Sequence, residues 1–124
     1  MQQEKYSNSF EKKVRDGVER IIVYEENGLI VGFASGHMQC SIYDSELDGL
    51  YVLPLMQRRG IGTSLLYHMK SHFERLNCKN MVAWTLLGAT NNAFYEMHGG
   101  IAKGFKSYEF ASKQYNGVGY MFLV

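Results

Sequence analysis

One long amphipathic helix flanked by two β-rich runs restricts the fold of this chain more than any other feature. From Ile61 the apolar residues fall at Leu65, Leu66, Met69, Phe73 and Leu76, a stripe of helical period, with Lys70, Ser71, Glu74 and Arg75 on the polar face. Before it, Ser45 to Val52 reads as a strand that Pro54 ends. After it, Met81 to Leu86 is a short, nearly continuous apolar run, the pattern of a strand covered on both faces. Strand, helix, strand in that order predicts a parallel pair joined by a right-handed crossover.

The rest of the chain fills out a mixed α/β sheet. Ile21 to Tyr24 and Leu29 to Ala34 surround Glu26-Asn27-Gly28, a strong hairpin signal, so residues 21–38 are expected to be antiparallel strands. Ser9 is placed to cap a helix through Phe10, Val14 and Val18. Asn91 to His98 reads as a short helix closed by Gly99, and the remainder to Val124 as two strands around Tyr115-Asn116-Gly117. With 124 residues, the expectation is a single domain over 1–124.

Composition narrows the function. Lys plus Arg number 13 against 12 Asp plus Glu, so no excess charge is available to neutralise a nucleic-acid backbone. The apolar runs are too short for a membrane span, and Met1-Gln2-Gln3-Glu4 lacks the plan of a signal peptide, so a cytoplasmic protein is expected. Cys40 and Cys78 have no CxxC spacing and read as buried thiols, with neither a disulfide framework nor a metal implied. His68 and His72 stand at i, i+4 without the Glu of a zinc motif between them, and the expectation is no metal.

The chemistry is expected in Gln57-Arg58-Arg59-Gly60-Ile61-Gly62-Thr63, between the strand and the long helix. A helix start carries unpaired N–H groups and partial positive charge, and two glycines let a ligand approach the backbone, so the turn suits a phosphate. The dinucleotide fingerprint fails because Leu65 stands where its third glycine belongs, and the P-loop Gly-Lys-Ser/Thr is absent.

Tyr51-Val52-Leu53-Pro54, the loop Gln57 to Gly62, and Asn91-Asn92-Ala93-Phe94-Tyr95-Glu96-Met97-His98-Gly99 together resemble the GCN5-related N-acetyltransferase (GNAT) superfamily over about residues 21–110. Gln57, Gly60 and Gly62 fit its cofactor loop, and Asn91, Ala93, Phe94 and Tyr95 fit its later helix. The resemblance implies that the loop, including Arg58, Arg59, Ile61 and Thr63, holds the pyrophosphate of acetyl-CoA. It also implies that the strand at Leu50, Tyr51 and Val52 offers backbone groups to pantetheine. Asn91 would touch the cofactor, and Tyr95 would give a proton to the departing thiolate.

At roughly 100° per residue, Ala93, Phe94 and Met97 share one helix face, expected to be core, and Asn91 and Tyr95 another, expected to face the ligand. Transfer to an amine requires a base, since an alkyl ammonium with pKa near ~10.4 has no lone pair to attack with. Glu46 and Asp48 are the candidates, expected on the same strand face as Leu50. Only 20 residues precede Ile21, so the resemblance implies a member lacking the first strand and helix, and a homodimer is the simplest cover for what they leave open. The reading is an N-acetyltransferase acting on a primary amine by direct attack in a ternary complex. The alternatives are a non-catalytic acyl-CoA-binding relative and a subunit completed by a partner chain.

Overall fold

The structure, a computed structural model, describes residues 5–8, 19–39 and 41–124. The elements are β1 (Lys5–Asn8), β2 (Glu19–Glu26), β3 (Leu29–Met38), β4 (Ser45–Val52), α1 (Ile61–Arg75), β5 (Asn80–Leu86), α2 (Asn92–Met97), β6 (Ile101–Phe110) and β7 (Lys113–Leu123). The strands form one sheet in the order β1-β2-β3-β4-β5-β7-β6. Among the described residues no helix is long and apolar enough to cross a membrane.

The β2–β3 hairpin turns at Asn27 and Gly28, both at positive φ (52° and 81°), the backbone whose twist matches its flanking strands. Ahead of this hairpin, where no strand was expected, β1 lies antiparallel to β2, with Lys5 opposite Glu25 and Asn8 opposite Ile22. The helix expected from Ser9 to Val18, and Cys40, lie outside the described residues.

α1 packs on one sheet face. Leu65, Met69 and Phe73 are fully buried in a core with Ala34, Leu47, Met81 and Phe122, each large side chain contributing roughly 1.5–3 kcal/mol by leaving water. Gly36 lets α1 settle there, since a Cβ on it would lie 2.8 Å from the Glu46 carbonyl oxygen and 3.1 Å from the Phe73 ring.

The C-terminal hairpin turns elsewhere than expected. Ala111 and Ser112 form the turn at φ 53° and 65°, and Tyr115-Asn116-Gly117 sits inside β7, paired with Tyr108, Ser107 and Lys106. Gly117 is there for packing, since a Cβ would collide with the Tyr108 ring.

The parallel β4–β5 contact positions the site. Glu46 pairs with Val82 and Leu47 with Ala83, and there the pairing stops, although β4 continues to Val52 and β5 to Leu86. The two strands therefore splay apart, and from Asp48 onward β4 has no β5 partner.

Candidate functional site

The loop after β4 feeds α1 through a left-handed Gly60 (φ 82°), and α1 starts without a side-chain cap. Its first intrahelical bond runs from the Ser64 amide to the Gly60 carbonyl at 3.0 Å. The amides of Ile61, Gly62 and Thr63 thus precede the helical ladder and point out of the helix end. Nothing lies within 4 Å of the place a Gly60 Cβ would take, so a ligand can reach these amides. Gln57 fastens the loop to β4 by donating from Nε2 to the Val52 carbonyl at 3.1 Å.

A cleft of about 720 Å³ opens at this helix start, within the range of small-molecule sites. Leu50 and Val52 of β4 form one wall, and Gln57, Arg58, Gly60, Gly62 and Thr63 the end. Thr90, Asn91, Ala93, Phe94, Tyr95, Met97 and His98 form the opposite wall. Predicted residues from three separate segments thus meet around one space.

Three predicted contacts are not in the lining. Arg59 turns away and donates to the buried Glu26 carboxylate at 3.2 and 3.5 Å. Ile61 has its side chain in the core, and Tyr51 packs against Phe33 at 6.0 Å between ring centroids. Arg58 is the arginine that borders the cleft.

α2 corrects the expected division of faces. Asn92 and Tyr95 are buried, whereas Ala93 and Met97 are exposed and line the cleft. The reason is what the helix packs against. Asn92 accepts from Thr85 Oγ1 at 2.9 Å and donates to the Leu86 carbonyl at 2.9 Å, while Glu96 accepts from the Tyr120 hydroxyl at 2.7 Å. These anchors turn Tyr95 toward Tyr120 and Phe122, with ring centroids 5.8 and 6.0 Å away. Burial raises the Tyr95 hydroxyl above its ordinary pKa of 10.0, so it stays protonated at neutral pH.

β4 also departs from simple alternation. Ser35 pairs with Gly49 and Gly36 with Leu47, so Asp48 is an extra residue in a bulge. The bulge resets the pleat: Leu50 joins Leu47 and Val52 on the α1 side, and Glu46 remains on the opposite face, where its antiparallel partner is His37. The shared face expected for Glu46, Asp48 and Leu50 is therefore broken at Asp48.

Neither Glu46 nor Asp48 lines the cleft; they meet His37 on the other side of the sheet. His37 Nδ1–H donates to Asp48 Oδ2 at 2.7 Å. Glu46 is raised above its usual 4.5, first by burial and then by the charge of Asp48. For His37 burial acts downward, but the hydrogen bond and charge of Asp48 and the charge of Glu46 outweigh it and raise the imidazole above 6.5. Ligand atoms of these three residues lie within 4.8 Å of one another, a spacing a divalent cation can bridge. His37 escaped the sequence reading because it belongs to β3, and only the antiparallel register brings it beside Glu46. His68 Nδ1–H donates to the Ser64 carbonyl at 2.8 Å within α1.

Residues 17–99 match the family model of the acetyltransferase (GNAT) domain. The chain belongs to the GNAT acetyltransferases. Solved structures agree with the GNAT fold. The IAA acetyltransferase from Bacillus cereus is 10% identical at a TM-score of 0.77, with 98% of this chain and 100% of that one covered. A GNAT family acetyltransferase from Elizabethkingia anophelis, solved with acetyl-CoA bound, is 14% identical at a TM-score of 0.71, covering 86% of this chain and 77% of that one. No curated protein sequence matches. The uncapped α1 start and the end of β4, through Leu50 and Val52, border the same cleft.

Proposed function

We propose that this GNAT acetyltransferase binds acetyl-CoA in the cleft and transfers its acetyl group to a primary amine by direct attack in a ternary complex. The observation that carries the reading is the splay. It opens a strand edge between a cleft with an uncapped helix start on one side of the sheet and a carboxylate-imidazole cluster on the other.

The chain fits the co-substrate chemically. The amides of Ile61, Gly62 and Thr63, with Arg58 beside them, suit a pyrophosphate, and Gln57 keeps the loop in place. The β4 edge from Asp48 to Tyr51, which has no β5 partner, can pair with the amides of a pantetheine arm as it would with another strand. A free β4 amide there can support the oxyanion as the carbonyl is attacked.

An amine arriving from the opposite face meets Glu46, whose raised pKa suits it to accept a proton. Tyr95 holds a proton for the leaving sulfur at the cleft wall. Holding both reactants at the gap supplies much of the rate enhancement. A second copy is the cover we assign to Ile101, Phe105 and Phe110, exposed on the edge strand β6; a monomeric mass at micromolar concentration removes that assignment.

The test is calorimetric titration with acetyl-CoA, followed by thiol release over a panel of primary amines. Binding and amine-dependent release are expected. Binding without release from any amine supports the non-catalytic alternative, and no binding overturns the site.

A further inference from the structure

Trp84 is the first β5 residue past the last β4–β5 pair and lies on the face opposite α1, since its neighbours Met81 and Ala83 belong to the α1-side core. Its ring is seated on two glycines. A Cβ on Gly104 would come within 2.7 Å of it, and one on Gly119 within 2.9 Å. Tyr43 closes its edge at a centroid distance of 6.4 Å. The indole is thus fixed at the lip of the gap.

Lys106 of β6 folds back over this ring. Its Nζ stands 4.0 Å from the Trp84 centroid and 5.5 Å from that of Tyr108, and its charge acts on Glu46, opposing the effect of burial there. The attraction of a cation to an aromatic face offsets part of the rotamer freedom an exposed lysine otherwise keeps. An alkylammonium is therefore held over Trp84 at the gap, within electrostatic reach of the carboxylate assigned as base.

We infer that Lys106 is an acetylation site in cis, its amine occupying the subsite for acceptor amines. The inference rests on the acetyl-CoA reading above. It gives that reading a substrate class: unbranched primary alkylamines of lysine type. In the step, the neutral Lys106 nitrogen attacks the acetyl carbon; the C–N bond forms and the C–S bond breaks, its electron pair leaving on sulfur. The amine's two protons pass through Glu46 to solvent, and the sulfur takes one from Tyr95, which recovers it from solvent. Acetyl-CoA and the lysine ammonium become acetyl-lysine, free CoA thiol and one released proton.

The experiment incubates the full chain with acetyl-CoA and no added amine, then measures intact mass and maps the modified peptide. One acetyl group on Lys106 is expected, at a rate per chain unchanged by tenfold dilution and slowed at least about tenfold by Tyr95→Phe. Lys106→Arg abolishes the gain, and Lys103→Arg on the same exposed strand leaves it intact. Acetyl groups spread evenly over Lys103, Lys106 and Lys113 indicate chemical acetylation and overturn the inference. So does an unmodified chain that binds acetyl-CoA and acetylates an added alkylamine, an outcome that leaves the acetyltransferase reading standing. A chain that neither binds acetyl-CoA nor acetylates any amine overturns both.

Discussion

The Thr63 hydroxyl and His98 Nε2 lie 2.9 Å apart and clasp the first turn of α1 to the end of α2. His98 Nδ1–H donates to the Phe94 carbonyl at 2.8 Å, which leaves Nε2 of the neutral ring to accept from Thr63. Both residues line the cleft, so one hydrogen bond sets the spacing of its walls.

Thr63→Val keeps the shape of the side chain and removes the donor. A loss of about 1 kcal/mol is expected in urea denaturation, with acetyl-CoA binding several-fold weaker by calorimetry and kcat little changed. An unaltered Kd would limit the clasp to stability.

Gly60→Leu places a side chain where the structure leaves open space and imposes a positive φ on a residue that disfavours it. Binding of acetyl-CoA should fall at least about tenfold, or ~1.4 kcal/mol. Circular dichroism establishes that the variant is folded, and undiminished affinity in a folded sample moves the phosphate site elsewhere.

Tyr95→Phe retains the ring that packs on Tyr120 and Phe122. The expected result is a kcat lower by ~10² with an unchanged KM for acetyl-CoA, the signature of a lost proton donor. Because burial raises the hydroxyl above 10.0, no loss of the donor form is expected below that pH. Wild-type turnover would leave Tyr95 a packing role only.

Glu46 and His37 both have pKa values raised by the fold, above 4.5 and 6.5 respectively. A group that binds its proton more tightly when folded stabilises fully below its unfolded pKa, and that contribution is lost as pH rises through the folded value. The His37 contribution is therefore lost as pH rises beyond 6.5 through its raised folded value, and that of Glu46 as pH rises beyond 4.5 through its own. Asp48→Asn should lower the His37 pKa in an NMR titration. Glu46→Gln should depress kcat/KM at neutral pH and recover in part at alkaline pH, where free amine is abundant. If Glu46→Gln keeps the wild-type pH profile and Asp48→Asn loses it, the base belongs to the Asp48–His37 pair.

What could be read from the sequence was local. Asn27-Gly28 announces its turn because few other residues accept two positive φ angles in succession. The α1 stripe is long enough for its period to be unmistakable, and β4 matches its predicted span because Pro54 marks its end. Features set by a neighbouring strand were hidden. The bulge at Asp48 exists only in the pairing with β3. α2, six residues long, takes its orientation from Asn92 and Glu96 anchors on β5 and β7. Ala111-Ser112 lacks the Gly or Asn that a turn with two positive φ angles favours, whereas Asn116-Gly117 has both and lies in a strand.

The parting of β4 and β5 after two residue pairs also bears on how this chain survives as a folded molecule. The two strand groups are joined through the shared core under α1, and a ligand in the gap would add contacts to both. A ligand lodged there binds the folded chain and not the unfolded one, which adds about 2.7 kcal/mol of stability at a hundredfold excess over Kd. On the proposed reading, acetyl-CoA would stabilise the enzyme as well as feed it, and a thermal midpoint that rises with acetyl-CoA concentration is the expected sign.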